Sequence, residues 1–135
     1  MYKSYDEFTK LLNKKNFQKR IDKLAKKYEG KKIIIYGAGI LFDAITKNYD
    51  LSKLNIIGVA DIKFDTGEEY QGFKAYDPED LVETDFDVIL ISMYEPDNAE
   101  EFLEEQIIPE HKKFKYEPFL QNSIFDLLKE LFLRS

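Results

Sequence analysis

The stretch Lys31-Lys32-Ile33-Ile34-Ile35-Tyr36-Gly37-Ala38-Gly39-Ile40-Leu41-Phe42 decides how this chain folds. Two lysines lead into a short β-branched apolar block. The block breaks at Gly-Ala-Gly, and an apolar helical pattern then resumes. Isoleucines bounded by a glycine turn read as a strand buried on both faces, the kind that parallel sheets contain. Gly37 permits the sharp exit from the strand, and Gly39 leaves room for a ligand to come close to the backbone. The following helix would aim its unpaired N–H groups and positive dipole end at that space, which suits a phosphate. The stretch therefore predicts a nucleotide-binding strand–helix turn, with the amides of Ala38, Gly39, Ile40 and Leu41 around a diphosphate.

Two further apolar runs, over 55–61 and 87–92, have the same buried-strand character. A helix over 40–49 separates the first strand from the second, so the two are expected to be parallel. Residues 70–76 alternate enough for a short strand or hairpin arm at an edge. Asp77-Pro78 then opens a short helix, with Asp77 as cap and Pro78 in the first helical position. Pro96 starts another helix, and 114–116 suggests a last short strand.

Upstream, Ser4 and Glu7 have the form of a capping box. Tyr5, Phe8 and Leu12 follow at helical spacing, and Phe17, Ile21, Leu24 and Tyr28 continue the stripe after a soft break at 13–16. Gly30 supplies the stop. Near the other end Ser123 caps an amphipathic helix carrying Ile124, Phe125, Leu128, Leu131 and Phe132. The expectation is one domain over 1–135: a helical segment over 1–30, a three-layer α/β core with a mainly parallel sheet over 31–116, and a C-terminal amphipathic helix over 122–133.

The net charge of −6 hides an asymmetry, +7 over residues 1–32 and −13 over the remainder. The basic front reads as lysines that face water or complement the acidic body. No aromatic residues are interleaved with them to stack bases, so no nucleic-acid partner is expected. The absence of cysteine excludes a disulfide framework and a thiolate metal site. No apolar run approaches the roughly 20 residues that span a bilayer, and residues 1–6 do not read as a signal peptide. A cytoplasmic protein without a membrane partner is the expectation.

In a doubly wound sheet, ligands bind beyond the C-terminal ends of the strands. Those ends carry Gly37, Ala38 and Gly39, then Asp61, Ile62 and Lys63, then Ser92, Met93 and Tyr94. Asp61 follows Gly37 by 24 positions, near the roughly 20-residue offset of an acid that holds ribose hydroxyls. It could equally be a strand-end acid capping the next turn. Phe42 stands where a third glycine would complete the phosphate-binding pattern. Lys63 could neutralise a diphosphate or be an exposed loop lysine; Ser92, Met93 and Tyr94 could line the pocket, or the polar ones could satisfy backbone alone. His111, the single histidine, reads as a surface residue. The pairs Tyr49–Lys53 and Tyr70–Lys74 have a dehydrogenase-like spacing but fall on elements that do not suit it. Glu100, Glu101, Glu104 and Glu105 read as a solvated helix face. With no Ser-His-Asp set, HExxH or Walker lysine, no catalytic or metal-ligating residue is assigned.

Taken in order, Ile-Tyr-Gly-Ala-Gly (35–39), Ile-Ile-Gly-Val-Ala-Asp (56–61), Gln-Gly-Phe-Lys-Ala-Tyr-Asp-Pro-Glu-Asp-Leu (71–81) and Phe-Asp-Val-Ile-Leu-Ile-Ser (86–92) resemble a small Rossmann-like module of bacterial sugar metabolism. Such modules form the N-terminal domain of sugar acyltransferases and the cofactor-binding part of nucleotide-sugar dehydratases, and similar ones accompany some sugar methyltransferases. The resemblance covers residues 31–108. It implies a nucleotide sugar or an NAD(P)-type dinucleotide over Gly37–Gly39, with Asp61 near the ribose or base. It brings no active site, because the acyltransferases' β-helix repeats and the dehydratases' catalytic helix are missing. The expectation is a binding module of polysaccharide biosynthesis without a complete active site. The alternative is a non-enzymatic interaction or oligomerisation module with a vestigial pocket, in which the C-terminal helix docks a partner subunit or a second copy.

Overall fold

The computed structural model describes residues 5–93, 95–111, 114–121, 124 and 126. Two helices come first, α1 (Tyr5–Lys14) and α2 (Phe17–Lys27). They part at Asn16, whose left-handed backbone (φ 51°) cannot continue a helix. Strand β1 (Ile33–Tyr36), helix α3 (Ile40–Asn48) and strand β2 (Ile56–Ala60) follow. Next come β3 (Glu69–Tyr70), β4 (Phe73–Tyr76), a 3-10 helix (Pro78–Glu83) and β5 (Val88–Ile91). Helix α4 (Asp97–Phe102) runs on as a π-helical turn (Leu103–Ile107) before β6 (Lys115–Pro118).

The six strands lie in the order β3-β4-β2-β1-β5-β6. All neighbouring pairs are parallel except β3 and β4, an antiparallel hairpin at the edge. Its turn residues Gln71 and Gly72 have φ of 50° and 84°, the positive values that a two-residue turn matching strand twist requires. The expected 3-10 cap is present, Asp77 accepting from the Glu79 N–H at 3.0 Å.

Side-chain alternation builds a mixed α/β architecture with helices on both faces of the sheet. Ile33, Ile35, Val88 and Leu90 pack with Phe8, Leu12, Phe17, Ile21, Leu24, Leu41 and Ile45 of α1, α2 and α3. Ile34, Tyr36, Ile89 and Ile91 pack on the opposite face with Leu81, Ala99, Leu103 and Ile107. Every residue of β1 and β5 is buried, which is why both read as continuous apolar runs rather than alternating ones.

Part of the basic front complements the acidic body. Arg20 donates to Glu117 at 3.1 Å and to the Pro118 and Phe119 carbonyls at 2.8 and 3.1 Å. Lys27 reaches the same carboxylate at 2.7 Å, and Tyr28 donates to it as well. These contacts tie α2 to the far end of β6. The capping-box serine and the helix expected over 122–133 lie outside the described residues, apart from Ile124, which is buried in the α1–α3 cluster, and Asp126. Among the described residues, no helix is long and apolar enough to cross a membrane.

Candidate functional site at the C-terminal edge of the sheet

Tyr36, the last residue of β1, is in register with Ala60 and Ile91, and Ala60 with Tyr76. The turns after β1, β2, β4 and β5 therefore leave the sheet side by side. Hydrogen bonds knit them together. The Gly37 N–H donates to the Ala60 carbonyl at 2.8 Å, and the Ala38 N–H to Asp61 Oδ2 at 2.8 Å. Lys63 donates its backbone N–H to Asp61 Oδ1 at 3.1 Å and its Nζ to the Ala38 carbonyl. Ser92 Oγ donates to the Gly37 carbonyl. Gly37, Ala38, Gly39, Asp61, Lys63, Ser92 and Met93 thus come to one edge from three parts of the chain.

The two glycines are used differently. Gly37 has φ +115°, and a Cβ there would lie 2.9 Å from the Ser92 carbonyl oxygen and 3.0 Å from Met93 Cγ. It is a glycine because of the fold. Gly39 has an ordinary extended backbone (φ −96°, ψ −161°), and a Cβ would meet nothing within 4 Å. The space above it is open. Phe42, at the third-glycine position, does not fill that space. It is fully buried among the α1–α3 side chains, its ring 6.1 Å from that of Phe73.

Helix α3 carries no side-chain cap. Its first backward hydrogen bond runs from the Asp43 N–H to the Gly39 carbonyl at 3.0 Å, so the N–H groups of Ile40, Leu41 and Phe42 have no intrahelical acceptor. The Ala38 amide differs from expectation, because Asp61 already occupies it. Asp61 is both a cap for its own turn and a brace for the glycine turn, and each oxygen keeps lone-pair capacity beyond the one bond it accepts. The Ser92 hydroxyl is likewise spent on backbone. Lys63 holds its ammonium over the rings of Tyr70 (5.0 Å) and Phe64 (5.5 Å) while touching the Ala38 carbonyl. Leu41 is buried, whereas Ile40 and Ile62 are 44% and 86% exposed, leaving apolar surface on both turns.

Tyr36 and Asp77 also belong to this edge, although neither stands out in the sequence as a site residue. Burial, then the charges of Asp61 and Asp77, push the Tyr36 phenol up to about 12. The signal available was position alone: each ends or follows a parallel strand at the same register level. Tyr94 lies outside the described residues.

His111 is not the surface residue expected. It is half-buried, its Nε2 donating to the Thr84 carbonyl at 2.6 Å and its ring 4.4 Å from that of Phe86. The two tyrosine–lysine pairs do not meet. Tyr49 donates to Asn13 while Lys53 lies 3.8 Å from Asp22; Tyr70 donates to Asp43 at 2.6 Å while Lys74 lies over the Tyr76 ring. At the opposite end of the strands a cleft of about 410 Å³ opens between Lys27, Lys31, Asp87, Phe114 and Lys115. It shares no residue with the glycine turn. Among the described residues, no group of three His, Cys, Asp or Glu side chains is placed to hold a metal ion.

The family described as C2185-like, N-terminal matches residues 29–114, a span that contains β1 through α4, both glycines, Asp61, Lys63, Ser92 and Met93. No curated protein and no solved structure matches the chain. Since that span takes in more than half of the sequence, the chain belongs to the C2185-like, N-terminal family.

Proposed function

We propose that this chain is a cytoplasmic, Rossmann-like module that binds a nucleotide sugar or a dinucleotide, in the setting of bacterial surface-sugar or polysaccharide metabolism. The observation that carries the reading is the open space above Gly39, at the start of an uncapped helix and beyond the C-terminal end of a parallel strand. With hairpin strand β3 set aside, the five parallel strands follow a 3-2-1-4-5 order. In that order the connections change direction between β1 and β5, the point where such sheets bind ligands. Gly37 packs against Ser92 at this junction, bringing the glycine turn to it. The free amides of α3 would face the diphosphate, and Lys63 would add positive charge nearby. Asp61 would accept from a ribose while continuing to hold Ala38. The cysteine-free sequence fits a reducing compartment.

Thermal-shift titration with UDP, UDP-sugars, NAD(H), NADP(H), S-adenosylmethionine and coenzyme A tests this. One class is expected to raise the melting temperature, by the equivalent of about 2.7 kcal/mol at a hundredfold excess over Kd. Gly39→Val should remove that shift and keep the unliganded melting temperature. Silence from every compound refutes the reading. The exposed side chains of Ile40 and Ile62 favour a second reading, a protein-interaction surface at the same edge. It would be supported by that silence together with a concentration-dependent dimer in ultracentrifugation.

A further inference from the structure

Tyr36 is 5% exposed, and its hydroxyl has no hydrogen-bond partner among the described residues. Buried tyrosine hydroxyls ordinarily find one. Among the described residues Gln121 Oε1 is the one sealed side-chain polar atom left unpaired, and the Tyr36 hydroxyl does not join it. That ring lies on the α4 face, 6.2 Å from Phe102 in an edge-on arrangement, at the register level from which Asp61 and Asp77 leave the sheet. Burial first, and then both carboxylates, raise the phenol further above neutral pH, where a tyrosine holds its proton in any case. Each carboxylate has acceptor capacity left: Asp77 Oδ1 serves the Glu79 N–H, while Asp61 holds two backbone amides.

We propose that Tyr36, Asp61 and Asp77 form the hydroxyl-binding end of the site, taking the polyol ring of a phosphorylated ligand whose phosphates lie over Gly39. This rests on the nucleotide-binding reading above and assigns the two ends of the ligand. A protonated phenol at the sheet edge from which two carboxylates leave offers one donor and several acceptors, which matches the hydroxyls of a sugar ring. The same negative charge repels phosphate, directing it toward Lys63 and the amides of α3. The polyol can be a nucleoside ribose or a sugar attached to the diphosphate.

Calorimetric titration of the full chain with inorganic pyrophosphate, UDP and UDP-glucose separates these cases. Tyr36→Phe keeps the ring against Phe102 and removes only the hydroxyl. Asp77→Asn keeps an oxygen for the Glu79 amide and removes the charge. Both variants are expected to weaken UDP-glucose about tenfold, equivalent to 1.4 kcal/mol, and to leave pyrophosphate unchanged or slightly tighter. An equal loss for UDP identifies the ribose as the bound ring; a loss confined to UDP-glucose identifies the hexose. A merely structural tyrosine would affect all three ligands or none. Wild-type affinity of both variants for UDP and UDP-glucose overturns this assignment while leaving the phosphate site standing. Failure of wild-type protein to bind any of the three, with NAD(H) and NADP(H) equally silent, overturns both.

Discussion

Gly37 and Gly39 are two residues apart in one turn, yet adding a methyl group to each should have very different effects. At Gly37 an alanine must adopt φ +115°, a conformation costing about 1–3 kcal/mol in an L-residue. Its Cβ must also displace the Ser92 carbonyl oxygen at 2.9 Å and Met93 Cγ at 3.0 Å. The methionine can yield, but the carbonyl belongs to the backbone just after β5, and such overpacking adds about 1–3 kcal/mol. Lost freedom of the unfolded chain returns about 0.4–1 kcal/mol. The expected net loss is about 3 kcal/mol, a large part of the 5–15 kcal/mol typical of a domain. At Gly39 the backbone is ordinary and the space empty, so the entropic gain roughly offsets alanine's poorer capping of α3. The Gly39→Ala change should stay within about 0.5 kcal/mol. Urea unfolding followed by circular dichroism reads both: with a slope of about 2 kcal/mol/M, Gly37→Ala should lower the midpoint by roughly 1.5 M. Equal losses in the two variants, or less than about 1 kcal/mol for Gly37→Ala, would refute the division between a glycine kept for the fold and one whose space is free.

Two other changes follow from the same geometry. Gly58 leaves β2 bare beneath the Tyr76 ring, and a Cβ there would strike that ring and come within 3.0 Å of the Lys74 carbonyl. Gly58→Ala is expected to cost about 1–3 kcal/mol in urea unfolding, with Gly58→Ala/Tyr76→Leu recovering part of the loss. Burial pushes the Glu117 carboxyl up, but hydrogen bonds from Lys27, Tyr28 and Arg20 outweigh it and hold the group below its ordinary 4.5. A depressed carboxylate contributes stability that is present above pH 4.5 and lost as pH falls through the folded value. Glu117→Gln should therefore cost about 1–2 kcal/mol at neutral pH, and its difference from wild type should shrink toward pH 3. A difference unchanged between pH 7 and pH 3 would contradict the ion-pair account.

What the sequence discloses about this fold is mostly local or periodic. Ile33–Tyr36 and Val88–Ile91 are legible because a strand covered on both faces must be apolar throughout. The stretch 70–76 is legible as an edge strand or hairpin arm, although Gln71 and Gly72 divide it into two strands; the 3-10 cap is legible from Asp77-Pro78. Long-range contacts are less so. His111 looked exposed because the residues that bury it, Phe86 and Thr84, lie more than twenty positions away. Asp61 admitted two readings: its bond from the Lys63 amide realises the capping one, and its bond from the Ala38 amide still leaves capacity for a ligand. Phe42 stands at the third-glycine position, but its ring belongs to the α1–α3 core, which the local pattern does not disclose. Tyr36 was hidden by its own strand: among isoleucines it reads as one more core residue, and its place level with Ala60 and Ile91 at the sheet edge is a fact of three dimensions.

The central claim is that a phosphate-bearing nucleotide lies over Gly39. Its most direct test is an amide-resolved NMR titration of the ¹⁵N-labelled chain with the compound that gives the largest thermal shift. The account predicts that the Gly39, Ile40 and Leu41 amides move most, with Asp61 and Lys63 following, and that Gly39→Val abolishes these shifts. Shifts centred instead on Lys31 and Lys115 at the opposite edge of the sheet, with the glycine turn unmoved, would contradict it.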